Sequence, residues 1–337
     1  METQELRNLL ESEYQIHITN IEQVKSIYKV ISNDKEFCLK VIEYEFGHFF
    51  FILNAIKHLQ NNGFSKIPEI IKTKKGRDYI KVKDKYAYFT PWINARLSNY
   101  DNPIDLKMAT LKLAELHLKS KGFNVTKEMN PRVGWLKWIE TYTTRKNEIL
   151  DFKNRINKKI KKSKFDEMYL EIMNEELKRA ESAIENLKKS NYIKKMKKEI
   201  VQNGFCHHDY AYHNVLIDNK NCVNIIDFDY CMLDSHLHDL SSILIRRMKY
   251  GKWDMENVKK ILEIYNSINK VESDDIPIMA AFMEFPQDYW QRGIQYYWEK
   301  KPWGEEFFIK KLERYIEDRA EKQQFIEEFR ITDLEDF

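Results

Sequence analysis

Beyond about Asn94 the apolar residues of this chain recur at helical spacing almost without a break. The one interruption, Phe205 to Asp229, holds two β-rich runs, Val215-Leu216-Ile217 and Val223-Asn224-Ile225-Ile226, split by an Asp-Asn-Lys-Asn turn. The first ninety residues alternate strand-like and helix-like patterns instead. Ile18 to Ile31 alternates loosely, Ser32-Asn33-Asp34-Lys35 reads as a turn, and Phe37 to Ile42 reads as a strand with Lys40 among apolar neighbours. Phe49, Ile52, Leu53, Ile56 and Leu59 predict a helix that Asn61-Asn62-Gly63 ends. Asp78 to Lys83 and Tyr86 to Phe89 predict two more strands, leading into Thr90-Pro91-Trp92-Ile93. The pattern is α+β in two lobes, a small β-rich one over 1–93 and a large helical one over 94–337.

Within the helical part, Asn102-Pro103 starts a helix with Leu106, Ala109, Leu113 and Leu116 on one face, ending near Gly122. Tyr169, Met173, Leu177, Ala180, Ile184 and Leu187 mark a second long stripe. Glycine is scarce: nine in 337 residues, under half of the roughly 7% average. Neither G-x-G-x-x-G nor G-x-x-x-x-G-K-[ST] occurs, so the glycine-based dinucleotide and Walker A cradles have no support. Fifty-six basic side chains nearly cancel fifty-three acidic ones, which argues against a nucleic-acid binder.

Four dispersed cysteines without C-x-x-C fit a reducing compartment. Met1 to Tyr14 lacks the apolar stretch of a signal peptide, and the longest strongly apolar run, Phe49 to Leu53, is far short of a membrane span. A soluble chain synthesised and kept inside the cell is the expectation.

The chemistry concentrates around the hairpin: Cys206-His207-His208-Asp209-Tyr210-Ala211-Tyr212-His213-Asn214, then Ile226-Asp227-Phe228-Asp229. Phosphoryl transfer asks little covalent help of a protein. It needs a carboxylate to orient the attacking hydroxyl and oxygen ligands for Mg²⁺. Asp209 and Asn214 are five apart, and Asp227 is eighteen beyond Asp209. Folding the hairpin brings Asn214 beside Asp227 and leaves Asp209 to face a substrate. Turn chemistry alone is the plainer explanation for polar residues there, but it does not account for three of them at this spacing. Five of nine histidines lie within 207–238, yet no cysteine pair accompanies them, so oxygen-ligated Mg²⁺ explains the carboxylates better than zinc.

This spacing resembles the kinase signature H-x-D-x-x-x-x-N followed by Asp-Phe, and more narrowly the aminoglycoside phosphotransferase and choline kinase branch, with Ile226-Asp227-Phe228-Asp229 in place of Asp-Phe-Gly. Together with His236-Leu237-His238-Asp239-Leu240, Tyr88 to Ile93, Leu116-His117, Gly122-Phe123 and Phe285 to Trp290, the chain resembles the kinase-like spore coat proteins of the CotS family over nearly its whole length. The resemblance implies a bilobal protein-kinase-like fold of the aminoglycoside phosphotransferase type, with ATP and Mg²⁺ as cofactors and the spore coat as destination.

Carried over by position, the resemblance makes Asp209 the catalytic base, Asn214 and Asp227 the Mg²⁺ ligands, and Lys40 the partner of nucleotide phosphates. Thr90 to Ile93 becomes the hinge, with the Pro91 carbonyl and the Ile93 amide contacting adenine. His207 braces the catalytic loop and Asp239 accepts its backbone N–H groups. Three departures accompany this. Gln23 to Tyr28 has no glycine where kinases cover the phosphates, leaving Lys25 or Ser26 to contribute directly. No glutamate stands at the expected place on the helix after Lys40, with Glu43 and Glu45 close behind the strand. Position 208 is histidine where related phosphotransferases usually have glycine.

The reading is therefore an ATP- and Mg²⁺-dependent phosphotransferase acting on a hydroxyl of a small molecule or coat component. The alternative is a catalytically silent pseudokinase serving coat assembly. Phe152 to Lys164 holds seven cations and no acid, and Lys188 to Lys198 holds six cations. A solvated helix face is the ordinary reading, with an anionic partner the other; nucleic acid is disfavoured because interleaved aromatics are missing. The tryptophans Trp135, Trp138, Trp290, Trp298 and Trp303 read as inter-helix packing.

Overall fold

The computed structural model describes residues 3–334. The chain divides into two compact units, Met1–Val133 with Gln202–Asp234, and Gly134–Val201 with Ser235–Phe337. The expected 93/94 boundary falls inside the first unit. The reason is a strand that follows it directly, Ala95–Leu97, and pairs with residues 216–218 of the hairpin far downstream.

In the first unit, helix α1 (Thr3–Tyr14) precedes β1 (Asn20–Val24), β2 (Ile27–Ser32) and β3 (Lys35–Ile42), then α2 (Phe46–Asn61), β4 (Ile80–Val82) and β5 (Lys85–Pro91). These strands form one antiparallel sheet in the order β1-β2-β3-β5-β4. The β2–β3 turn is two residues long: Ser32 pairs with Lys35, and Asn33 and Asp34 both adopt positive φ. That is the primed turn whose twist matches a hairpin, supplied here by the two non-glycine residues that best tolerate it. Leu6, Leu10, Val30, Leu39, Ala87 and Phe89 build the core under the sheet, so the N-terminal helix is an integral layer.

Strand β6 (Ala95–Leu97) leads to α3 (Pro103–Ser120) and joins β7 (Val215–Asp218) and β8 (Val223–Ile225) in a second sheet, ordered β6-β7-β8. Three residues carry no readable period, which is why β6 escapes a pattern search. The start of α3 follows its sequence signal: the Asn102 side chain accepts from the N–H groups of Ile104 and Asp105, with Pro103 at the first helical position. The β7–β8 turn is held by Asp218, whose Oδ1 accepts from the backbone of Lys220 and Cys222, both at 2.9 Å.

The second unit is helical: α4 (Trp138–Asn157), α5 (Lys164–Lys189), α6 (Tyr192–Gln202), α7 (Leu237–Met248), α8 (Met255–Asn266), α9 (Ile276–Glu284), α10 (Gln287–Gly293) and α11 (Glu305–Ile331). A capping box at Ser163 and Asp166 starts α5. Its core is aromatic, with Phe152, Phe165, Tyr169, Tyr289, Tyr297 and Phe308 packed together. Tyr169 and Tyr289 stack at 4.0 Å, and each hydroxyl donates to the other's backbone carbonyl. Among the described residues no helix is long and apolar enough to cross a membrane.

Candidate active site

The β7–β8 hairpin positions the site, and all of the geometry that follows, except that of Asp239, lies within the first unit. Val215 pairs with Ile225, and the Ile226 N–H donates to the Asn214 carbonyl at 3.0 Å. Asn214 and Asp227 therefore leave the same end of the hairpin. The Asn214 amide nitrogen donates to the Asp209 carbonyl at 3.0 Å and to Asp209 Oδ2 at 3.1 Å. With both of its N–H bonds so directed, Asn214 has Oδ1 as its remaining donor atom for a cation. An amide oxygen and a carboxylate from two residues that line one cavity are the hard-oxygen chemistry that suits Mg²⁺.

The loop before the hairpin is pinned from behind. Cys206 exchanges backbone hydrogen bonds with Met232 at 3.0 and 3.2 Å. Buried His207 donates from Nε2 to the Ile226 carbonyl at 2.9 Å and lays its ring 4.7 Å from Phe228. Two non-glycine residues are left-handed, His208 at φ 67° and Asp227 at φ 65°. Such backbone costs of order 1–3 kcal/mol at each residue and persists where the surroundings enforce it. The left-handed backbone at position 208 is one that glycine adopts without steric cost, so histidine there is held by its surroundings.

Lys40 lies on β3 opposite Tyr88 of β5, and its ammonium reaches Asp227 Oδ1 at 2.5 Å and Asp229 Oδ1 at 2.8 Å. Burial by itself pushes the Lys40 pKa down, but the charges of Asp229 and Asp227 more than offset it, so the group titrates above the ordinary lysine range. One ammonium serves two carboxylates unequally. Burial presses on Asp227 too, yet Lys40 holds its carboxyl below the usual range. Burial, the dominant effect at Asp229, and the neighbouring Asp227 charge push Asp229 up to about 6.

A cavity of about 470 Å³ opens beside this cluster, and Lys25, Ser26, Lys40, Pro91, Ile93, Asn214 and Asp227 all line it. Lys25 stands at φ 55° in the β1–β2 turn, a left-handed position filled by a side-chain-bearing residue. Cys38 and Thr90, paired across β3 and β5, line the same cavity. Burial raises the Cys38 thiol to about 11, which keeps it protonated and unreactive at neutral pH. The Trp92 N–H is committed to the Glu36 carbonyl at 2.9 Å, fixing the segment that carries Pro91 and Ile93.

Asp209 is outside the cavity lining but bonded to Asn214, and the His213 ring lies 3.9 Å from its Oδ2. Asp239 is fully buried in the first turn of α7 in the second unit, with His238 Nδ1 at 3.2 Å from its Oδ1. The helix after Lys40 offers the lysine no acid: Glu43 pairs with Lys85, and Glu45 precedes the first turn of α2. Asp229 is the residue the sequence reading left without a role. Its signal was present as the second acid of Ile226-Asp227-Phe228-Asp229, but a strand-to-helix distance is needed to see which acid meets Lys40.

The family model described as "Spore coat putative kinase YutH" matches residues 7–329. Comparison with curated proteins gives no significant match. Among solved structures, an aminoglycoside phosphotransferase from Alicyclobacillus acidocaldarius superposes with a TM-score of 0.80 at 18% identity, covering 95% of this chain and 93% of that one. Spectinomycin phosphotransferase, in complex with ADP and its antibiotic, gives 0.69 at 18% identity over 98% of each chain. Amicoumacin kinase hAmiN, in complex with AMP-PNP, Ca²⁺ and Ami, gives 0.68 at 12% identity, covering 100% of this chain and 97% of that one. The fold is the kinase-like one of aminoglycoside phosphotransferases.

Proposed function

Since the chain belongs to this CotS-like family of kinase-like spore coat proteins, we propose that it is an ATP- and Mg²⁺-dependent phosphotransferase of the spore coat that phosphorylates a hydroxyl of a small molecule or a coat component. The observation that carries the reading is the hydrogen-bonded Asp209–Asn214 pair at the open end of a hairpin whose second strand leads, at that same end, to Asp227 and its contact with Lys40. In this reading the cavity lined by Pro91 and Ile93 takes the nucleoside, with the Pro91 carbonyl and the Ile93 amide at the adenine edge. Lys25, Ser26 and Lys40 face its phosphates. Asn214 and Asp227 hold Mg²⁺, which when bound neutralises charge on the phosphate oxygens. Asp209 orients the acceptor hydroxyl and accepts its proton, while His207 holds the loop and Asp239 steadies it. The ADP and AMP-PNP complexes of the two neighbouring kinases support nucleotide use.

One observation favours the silent-scaffold reading: Lys40 is already satisfied by two carboxylates, so nucleotide phosphates must compete for it. A thermal-shift titration with ATP and Mg²⁺, followed by phosphoryl-transfer assays over hydroxyl compounds and coat extracts, separates the two. The active reading expects a saturable rise in melting temperature and transfer that Asp209→Ala and Asp227→Ala each abolish while still folding. ATP turnover by Asp227→Ala at the wild-type rate defeats it. A melting point unmoved by millimolar nucleotide leaves the scaffold.

A further inference from the structure

One cation beside this cluster is assigned to nothing so far. Arg132 sits in the loop between α3 and α4, and its guanidinium carbon lies 4.6 Å from the Tyr44 ring centre and 5.6 Å from that of Tyr230. Tyr230 directly follows Asp229, and Tyr44 follows β3 by two residues. Among the described residues no carboxylate pairs with Arg132, unlike the cations Lys40, Lys159 and Lys195.

The loop that carries Arg132 is built into place. The Asn130 N–H donates to the Gly47 carbonyl at 2.9 Å, and a Cβ at Gly47 would come within 2.8 Å of the Asn130 Cβ. A chain with nine glycines thus spends one where the 128–130 backbone lies against the first turn of α2. On the other side the Leu233 N–H donates to the Arg132 carbonyl at 2.9 Å, and Val133 bridges Leu233. His48 of α2 meets the Asp229 carbonyl at 3.4 Å and packs edge-on against Tyr44 at 4.8 Å. The Tyr230 phenol is raised by Tyr44 foremost, then by burial and the Asp209 charge, with Arg132 opposing, so these groups share one neighbourhood.

A guanidinium held over aromatic rings makes no hydrogen bond to them, which leaves its planar fork of N–H groups for two oxygens of a phosphate or carboxylate. The rings also hold it in one orientation before a ligand arrives, which reduces the entropy lost on binding. We propose that Arg132, held beside the rings of Tyr44 and Tyr230, is an oxyanion-binding residue of the candidate active site, receiving a phosphate or carboxylate group of a substrate. The inference rests on the phosphotransferase reading. Two substrates can supply the group. One is the terminal phosphate of the nucleotide, compensating for a β1–β2 turn without glycine; the other is an acceptor that bears a negative charge besides its hydroxyl.

The test uses the full chain and four probes: inorganic phosphate, glycerol 3-phosphate, AMP, and ATP with Mg²⁺. Binding is measured for the wild type, Arg132→Gln and Arg132→Lys. Arg132→Gln should weaken inorganic phosphate at least tenfold while AMP is unaffected, and Arg132→Lys should recover only part because an ammonium lacks the planar fork. A parallel tenfold loss for ATP assigns the group to the nucleotide. Unchanged ATP with weakened glycerol 3-phosphate assigns it to the acceptor. The proposal is overturned if the wild type does not bind phosphate, or if Arg132→Gln binds phosphate, glycerol 3-phosphate and ATP as the wild type does. Tyr230→Leu, which leaves the charge in place, should weaken phosphate several-fold and covers the case in which Arg132→Gln does not fold. Absence of any AMP or ATP binding to the wild type would sink the phosphotransferase reading separately, since the inorganic phosphate arm still reports on Arg132.

Discussion

Lys40 meets two carboxylates where a kinase lysine ordinarily meets one helix glutamate, and Asp229 is the residue that makes the difference. It sits two residues after Asp227, so a single 3₁₀ turn (Phe228–Tyr230) sets both acids against one ammonium. If Asp229 aligns Lys40 in the glutamate's stead, Asp229→Asn should lower ATP turnover at least tenfold while the fold survives, because the neutral amide keeps the volume but not the charge. Turnover equal to the wild type would place Lys40 under the control of Asp227 alone. The same pair shows the limit of reading residues singly. The motif Ile226-Asp227-Phe228-Asp229 points to Asp227 from its spacing, while the partner of Lys40 depends on a contact across 187 positions of chain.

At the scale of elements, short pieces do the positioning. Strand β6 has three residues, yet it ties the segment after Ile93 to the hairpin, and Arg96 on it forks onto Asp105 in the first turn of α3 at 2.6 and 2.8 Å. The Arg96 guanidinium, aided by the Asn99 N–H, holds the buried Asp105 carboxyl below the usual range against the opposing effect of burial. A depressed carboxylate stabilises the fold above its unfolded value, near pH 4, and that stability disappears as pH falls through the folded value. Asp105→Asn should therefore cost about 1–3 kcal/mol at neutral pH, with the gap to wild type closing in acid; urea unfolding at pH 7 and pH 3 measures it. In the second unit α10 ends at Gly293, where a Cβ would press into the Phe152 ring and the Tyr169 hydroxyl. Gly293→Ala should destabilise by about 1–3 kcal/mol through overpacking, read as a lower thermal midpoint. The basic tracts resolve partly into local pairs: Arg155 with Asp151, Lys159 with Asp166, Lys188 with Glu185, Lys195 with Asp275 and Lys198 with Glu272.

For the molecule as a whole, the candidate site residues are unevenly distributed. All except Asp239 belong to the unit that combines 3–133 with 202–234, while the second unit is a helical core organised around stacked tyrosines. Binding of a nucleotide to the first unit predicts a local signature in amide hydrogen exchange. With ATP and Mg²⁺, protection should rise at 23–27, 38–40, 90–93 and 209–229, and change little in the aromatic core around Tyr169 and Tyr289. Uniform protection of both units, or none, would contradict that placement of the ligand.

Much of this was written locally and so could be read without coordinates. The helical periods of α2, α3 and α5, the Asn102-Pro103 start, the Ser32 to Lys35 turn and the hairpin between Asn214 and Asp227 each depend on residues within a few positions of one another, and short-range sterics and capping bonds decide them. The long-range outcomes were not written that way. N-terminal α1 enters the sheet core, β6 reaches β7, Asp229 joins Lys40, and Gly47 admits the loop that carries Arg132, because packing selects among contacts whose partners are scores of residues apart. Sequence determined which acidic and amide side chains the candidate site contains and the spacing that gathers three of them; tertiary structure decided which charges face which, since Coulomb energy and burial depend on distance in space rather than along the chain.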